Sequence, residues 1–264
     1  MEKPTQSAGI IATKVPEITI FFWIIKVLTT AMGESMSDYL VSIVNPAIAV
    51  AIVAIGLVVA FILQFSARRY VAWIYWFTVV MVAIFGTMAA DVLHAGLGIP
   101  YIVTTSFFII ALIIIFIAWY KSEGTLSIHS ITTRRREGFY WATVLATFAL
   151  GTAAGDMTAS TLGLGFLNSG ITFAILIAIV AIVHYGFKAI LGAEHIHESR
   201  NAVFAFWIAY ILTRPLGASF ADWMGKPSSI GGLGWGDGMV SLILFIPILC
   251  LVGYMAWSKK DILL

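Results

Sequence analysis

Four times along this chain a tryptophan is followed ten residues later by a glycine and fifteen residues later by an aspartate. The copies are Trp23, Gly33 and Asp38; Trp76, Gly86 and Asp91; Trp141, Gly151 and Asp156; and Trp207, Gly217 and Asp222. The residue before each Asp is small as well (Ser37, Ala90, Gly155, Ala221), so every copy holds a Gly-xxx-small pair. A repeat of this kind restricts the fold strongly, because each copy must be one supersecondary unit and the units must bury their faces against one another.

The repeat lies in lipid-like sequence. Of 264 residues, 61% are hydrophobic and 11% charged, against about 25% charged in an ordinary soluble domain. Apolar runs near the ~20 residues needed to cross a bilayer fall at about 18–40, 44–65, 71–95, 101–120, 139–161, 168–188, 202–224 and 239–258. The expected fold is an all-α membrane protein of eight transmembrane helices. A single transmembrane domain, 1–264, is divided into repeats at about 17–65, 71–120, 137–188 and 201–258. Two spans per repeat make four hairpins of one orientation, related by an axis along the membrane normal. No length remains for a soluble domain.

Basic residues outside the spans are unevenly placed. Lys3, Lys14, Arg68, Arg69, Lys121, Arg134 to Arg136, Lys188, Arg200, Lys259 and Lys260 share the side of both termini, and Lys226 alone lies opposite. Twelve against one is a strong positive-inside signal, so both termini are expected in the cytoplasm. The net charge of +2 therefore expresses topology and points to no nucleic acid. The polar N-terminus lacks the apolar core of a cleaved signal. The single Cys250 excludes an intramolecular disulfide and a thiolate cluster and is expected to pack in the last span. Trp119-Tyr120-Lys121, His184 to Lys188 and Trp257-Ser258-Lys259 close the even spans as interface anchors.

The segments FFWIIKVLTTAMGESMSDYL, EGFYWATVLATFALGTAAGD and ILTRPLGASFADWMGKP resemble a family of bacterial membrane proteins defined by four tandem two-helix repeats, each with a tryptophan. That family is named for a repeat of unknown function. The resemblance implies architecture and a bacterial origin, and no activity.

Chemistry must then come from the residues. Gly and the small residue four positions on share a helix face that lets backbones approach closely, so the odd helices should lie inside and the even ones outside. Each Asp is turned about 140° from that glycine at ~100° per residue, nearer the face of its own Trp. Two readings stay open: the four Asp clamp backbone or a Trp of the next repeat, or they hold protons or a cation, possible metal ligands being Glu34, Asp38, Asp91, Asp156 and Asp222.

Deep charges occur only in the first and last copies, Lys26 and Glu34 in one, Arg214 in the other. In a closed ring those copies are neighbours, and the three are expected to meet in one mid-membrane site. Five acids against two bases leave a surplus of three negative charges, which requires protons or a cation. Pro215 with Gly217 is expected to break the seventh helix. His94, three residues past Asp91, is a candidate proton relay. The cytoplasmic EHIHES, 194–199, is a weak metal candidate, and the loop 225–238 is read as turn-forming before lid-forming.

No enzyme motif is present, and no catalysis is expected. The expected function is transport of a small cation, a metal ion or a proton-coupled solute, through Glu34, Lys26 and Arg214 with the four Asp. An anion or organic-acid carrier built on Lys26 and Arg214 is one alternative, and a membrane scaffold is another. No cofactor is expected beyond a divalent metal ion as substrate; the partners are membrane lipids and the ion or solute, with a homo-oligomer left open.

Overall fold

The structure is a computed structural model that describes residues 13–191 and 200–262, without the side chains of 187–191 and 200. The described residues form eight α-helices and no strand: α1 Ile20–Ile43, α2 Pro46–Ser66, α3 Ala72–Asp91, α4 Tyr101–Glu123, α5 Arg134–Asp156, α6 Gly165–Leu191, α7 Arg200–Gly225 and α8 Asp237–Ser258. Local chemistry sets their ends. Thr19 caps α1 by accepting from Phe22 N at 3.3 Å, and Thr133 does the same for Arg136 N at 3.3 Å. Asn45 accepts from Ala47 N at 3.0 Å ahead of Pro46, so two residues suffice to turn α1 into α2. The left-handed Gly124 closes α4.

Six helices (α2, α3, α4, α6, α7, α8) are long and apolar enough to cross a membrane, as in a multi-pass membrane protein. The other two carry charge within the helix: Lys26, Glu34 and Asp38 in α1, and a basic first turn plus Asp156 in α5.

The odd helices α1, α3, α5 and α7 form a ring in which each packs on the next and α7 returns to α1. The tryptophan-bearing ends of the four helices lie together, and so do the aspartate ends. Each repeated glycine is the point of closest approach. Gly33 lies against Ala83, Gly86 against Phe148, Gly151 against Arg214 and Gly217 against Thr30. These four neighbours each stand seven residues past their own tryptophan, so one contact recurs around the ring. A methyl on Gly86 would meet Phe148 Cβ at 2.5 Å, and one on Gly217 would meet Thr30 Cγ2 at 2.7 Å.

The even helices surround the ring, but not beside their sequence partners. α2 lies along α3, α4 along α5, α6 along α7, and α8 comes back to α1. The sequence unit is therefore an odd helix with the even helix after it, whereas the packing unit is an even helix with the odd helix after it. Burial follows: 56% of the apolar window of α3 and 44% of α7 are buried, against 22, 22, 17 and 28% of α2, α4, α6 and α8.

Three expectations are corrected here. α7 runs unbroken through Pro215, because the surrounding ring holds the turn. Cys250 is exposed on α8, since α8 turns another face to α1. Trp119 is fully buried and packs edge-on against Trp207 at 5.7 Å, leaving Tyr120 at 53%, Tyr185 at 65% and Trp257 at 82% exposure as outward-facing anchor aromatics. Segment 194–199 falls outside the described residues.

Candidate functional site

Because the ring repeats one contact, residues at equal distance from their tryptophans form layers. Nearest the tryptophans is an aromatic layer, with Tyr75 and Tyr140 hydroxyls 2.5 Å apart and both rings fully buried among Trp76, Trp141 and Trp207.

The next layers hold the two deep bases. Lys26 Nζ donates to Tyr210 O at 2.8 Å and to Thr213 Oγ1, and stands 3.7 Å from the Tyr210 ring centroid. The Tyr210 carbonyl also accepts from Thr213 Oγ1 at 2.8 Å. Arg214 donates to Thr30 Oγ1 at 2.9 Å and to the Tyr210 hydroxyl at 2.8 Å, and lies over Phe148 with Cζ 3.2 Å from the ring centroid. Both are 1% exposed. No carboxylate comes within 4 Å of either among the described residues.

One layer farther on stands Glu34, 4% exposed. Its Oε2 accepts from Thr87 Oγ1 at 2.9 Å and Thr152 Oγ1 at 2.7 Å, the two hydroxyls being 3.0 Å apart. Glu34, Thr87 and Thr152 all occupy the eleventh position after their tryptophans. The expected meeting of Lys26, Glu34 and Arg214 does not occur. Arg214 is taken up by Thr30, Tyr210 and the Phe148 face, while Glu34 turns to the threonines of the second and third repeats.

Glu34 belongs instead to the aspartate layer. One oxygen from each of Glu34, Asp38 and Asp222 lies within 4.8 Å of the other two. Asp91 and Asp156 stand within electrostatic reach of Glu34 and Asp38. They are the last residues of α3 and α5, which continue as π-helical turns, Val92–Gly96 and Met157–Thr161. Such turns are frequent at functional sites. The Tyr101 hydroxyl stands near Asp156. His94 does not pair with Asp91; it donates from Nδ1 to Ile99 O at 2.7 Å and stacks on Tyr101, because the π-helical turn carries its ring toward the following loop.

A cation from outside the helices completes this layer. Lys226 pairs with Asp38, and its Nζ lies 3.7 Å from Asp222 and 4.0 Å from Asp237. Burial works against the ammonium, but Asp222 and Asp38 outweigh it and hold Lys226 above the ordinary lysine range. The loop after it folds back on the end of α7: Leu233 N donates to Trp223 O at 2.6 Å and Trp235 N to Met224 O at 3.1 Å. The turn reading of 225–238 fits this arrangement, and the loop fixes Lys226 over the carboxylates.

Neither form of the clamp is present among the described residues. No hydrogen bond from backbone reaches the Asp38, Asp91, Asp156 or Asp222 carboxylates. Fifteen residues of helix separate each Asp from its own Trp by about 22 Å, so the four repeat indoles cannot reach this layer. Three partners of the site, Lys226, Thr87 and Thr152, were not among the expected site residues. Lys226 was legible as the lone base opposite the termini and as the residue four past Asp222. Thr87 and Thr152 were legible as occupants of the Glu34 position in their own repeats.

No curated protein and no solved structure is matched by this chain. The family described as Repeat of Unknown Function (DUF347) matches it at residues 21–70, 74–125, 139–189 and 205–261. Those four matches cover the tryptophan, glycine and aspartate positions of every copy, and the chain belongs to this family of tandem membrane repeats.

Proposed function

We propose that the protein transports a small cation across the bacterial inner membrane. In this reading all eight helices span the bilayer as four hairpins of one orientation about an axis along the normal, with both termini cytoplasmic and the aspartate layer facing outward. The observation that carries it is the grouping of Glu34, Asp38, Asp91, Asp156 and Asp222 at one end of the ring with Lys226 as their counter-ion. With Asp237, which shares the same ammonium, six carboxylates less one ammonium leave five negative charges, which must be met by protons or cations. Oxygens up to 4.8 Å apart suit a cation with metal–oxygen bonds of about 2.3–2.6 Å. Exposure falls from Asp38 at 17% to Asp222 at 6%, as in a site entered from the outer rim.

Arg214 and the aromatic layer lie across the ring beyond Glu34, so passage requires a rearrangement of the inner half. The test is thermal unfolding of the purified protein across metal salts and pH, with Glu34→Gln and Asp156→Asn beside the parent, followed by ion flux in proteoliposomes. Cation-dependent stabilisation lost in both variants is expected. No such stabilisation, with no flux, leaves the scaffold reading.

One observation favours an anion carrier as second reading. Lys26 and Arg214 face no carboxylate within 4 Å, and Thr213, which accepts from Lys26, lines a cavity of about 550 Å³ between α1, α6 and α7. Stabilisation by organic anions that is lost in Lys26→Met would select it.

A further inference from the structure

The residues leading into α1 do more than enter the helix. Lys14 and Val15 are 6% and 3% exposed, and Pro16 is buried. Tyr70 N, just before α3, donates to Thr13 O at 3.0 Å; Lys14 N donates to Ile131 O, just before α5, at 3.0 Å; Glu17 N donates to Asp261 O, beyond α8, at 3.0 Å. In the ring α1 neighbours α3 and α7, and α5 stands opposite. A segment running from the start of α1 to the start of α5 therefore crosses the tryptophan end of the ring along its diagonal. Val15 belongs to the same buried cluster as Tyr75, Tyr140, Trp76 and Trp141.

Its far end is held by charge. Lys14 Nζ donates to Glu137 Oε2 at 2.6 Å, and Gln64 Nε2, from the last turn of α2, donates to Glu137 Oε1 at 2.8 Å. Glu137 is fully buried. A buried ion pair is a poor way to stabilise a fold compared with apolar packing, but it defines one geometry and is lost as a unit when either partner leaves. The segment has no helix or sheet of its own, so its attachment rests on these few bonds, on a Glu17–His129 contact at 3.5 Å, and on Val15, Pro16 and Ile18 against the core. Short segments held in this way open at lower free energy than the helices around them.

We infer that residues 13–18 are the cytoplasmic gate of the ring, latched by Lys14 on Glu137. The inference rests on reading the ring as a transport path. The outer end then presents its carboxylates to water while the strap closes the inner end, and release of Lys14 uncovers the aromatic layer beneath.

The test uses two single-cysteine reporters in a Cys250→Ser background, labelled with N-ethylmaleimide in inside-out vesicles. Val15→Cys reports release of the strap. Val144→Cys, fully buried three residues past Trp141, reports whether the ring beneath becomes reachable. Loss of a buried ion pair shifts opening strongly, so Lys14→Met is expected to raise both labelling rates about tenfold or more. Gln64→Ala, which leaves the ion pair in place, should give a smaller rise. The exchange Lys14→Glu with Glu137→Lys should restore protection.

Faster labelling at 15 with none at 144 overturns the gate, since the strap would then be only a local anchor. Unchanged rates at both positions in folded Lys14→Met overturn it too. Where Lys14→Met does not fold, Gln64→Ala decides alone, and rates equal to the parent refute the latch. Labelling needs no substrate, so failure of the gate and failure of the transport reading are told apart.

Discussion

Gly217 of the last odd helix lies against Thr30 of the first, repeating the contact that Gly33 makes with Ala83. This one approach closes the ring, and it sets a sharp expectation for alanine at the repeated glycines. Gly86→Ala and Gly217→Ala should each destabilise the protein by about 1–3 kcal/mol through overpacking. Gly138, inside α5 with open space where its Cβ would lie, should tolerate alanine and gain about 0.5–1 kcal/mol from helix propensity. Thermal unfolding in detergent checks the contrast. Equal effects at 86 and 138 would mean that the glycines do not set the interhelical distance.

Glu34 is held by two hydroxyl donors and by no base. Glu34→Gln keeps a carbonyl to accept one threonine and removes one negative charge from a crowded layer, so unfolding temperature should hold or rise. Thr152→Val leaves the carboxylate one donor short and should cost about 1–3 kcal/mol, more than a neutral hydrogen bond, because the acceptor is charged and buried. A loss of stability in Glu34→Gln equal to that in Thr152→Val would contradict this account.

The architecture was legible because its signals are periodic. A Trp, a Gly and an Asp held at fixed offsets in four copies gave the four repeats, their inner helices and a common end for the aspartates, while closure of the ring was an assumption that the helix packing bears out. What the sequence could not supply was cyclic neighbourhood within a layer. Glu34 and Arg214 sit in adjacent repeats, yet the four-residue step between their positions places them in different layers, and each finds hydroxyls and π faces nearer than the other. Which even helix packs on which odd one was equally hidden, since the two-residue turn at Val44–Asn45 ties α2 to α1 while its apolar face settles on α3.

Trp119 shows the same limit in one residue, and it is testable. Its place before Tyr120 and Lys121 marks it as a membrane-interface anchor, but it is fully buried against Trp207 and Phe139. Trp119→Ala should cost about 3–5 kcal/mol, as for a large core aromatic. Trp257→Ala, at 82% exposure, should stay within about 0.5 kcal/mol. Unfolding temperatures of the two variants decide the matter, and equal small losses would return Trp119 to the interface.

Lys226 is the ammonium that the carboxylate layer already contains, and replacing it probes that layer most directly. Lys226→Met leaves Asp38 and Asp222 facing one another, and should lower stability by about 1–3 kcal/mol, less than for a fully buried pair because Lys226 keeps 26% exposure. Divalent cations should then restore what the ammonium supplied, while choline chloride at equal ionic strength should not. The pH dependence follows from the sign of the shift. A base held above its ordinary value contributes in full below the unfolded pKa of about 10.4 and loses that contribution only as pH rises through the higher folded value. From Lys226 alone, the gap in unfolding temperature between parent and Lys226→Met should therefore stay constant between about pH 7 and 9. A gap that closes in this window, or a variant that divalent cations leave unchanged, would remove the grounds for treating the layer as a cation site.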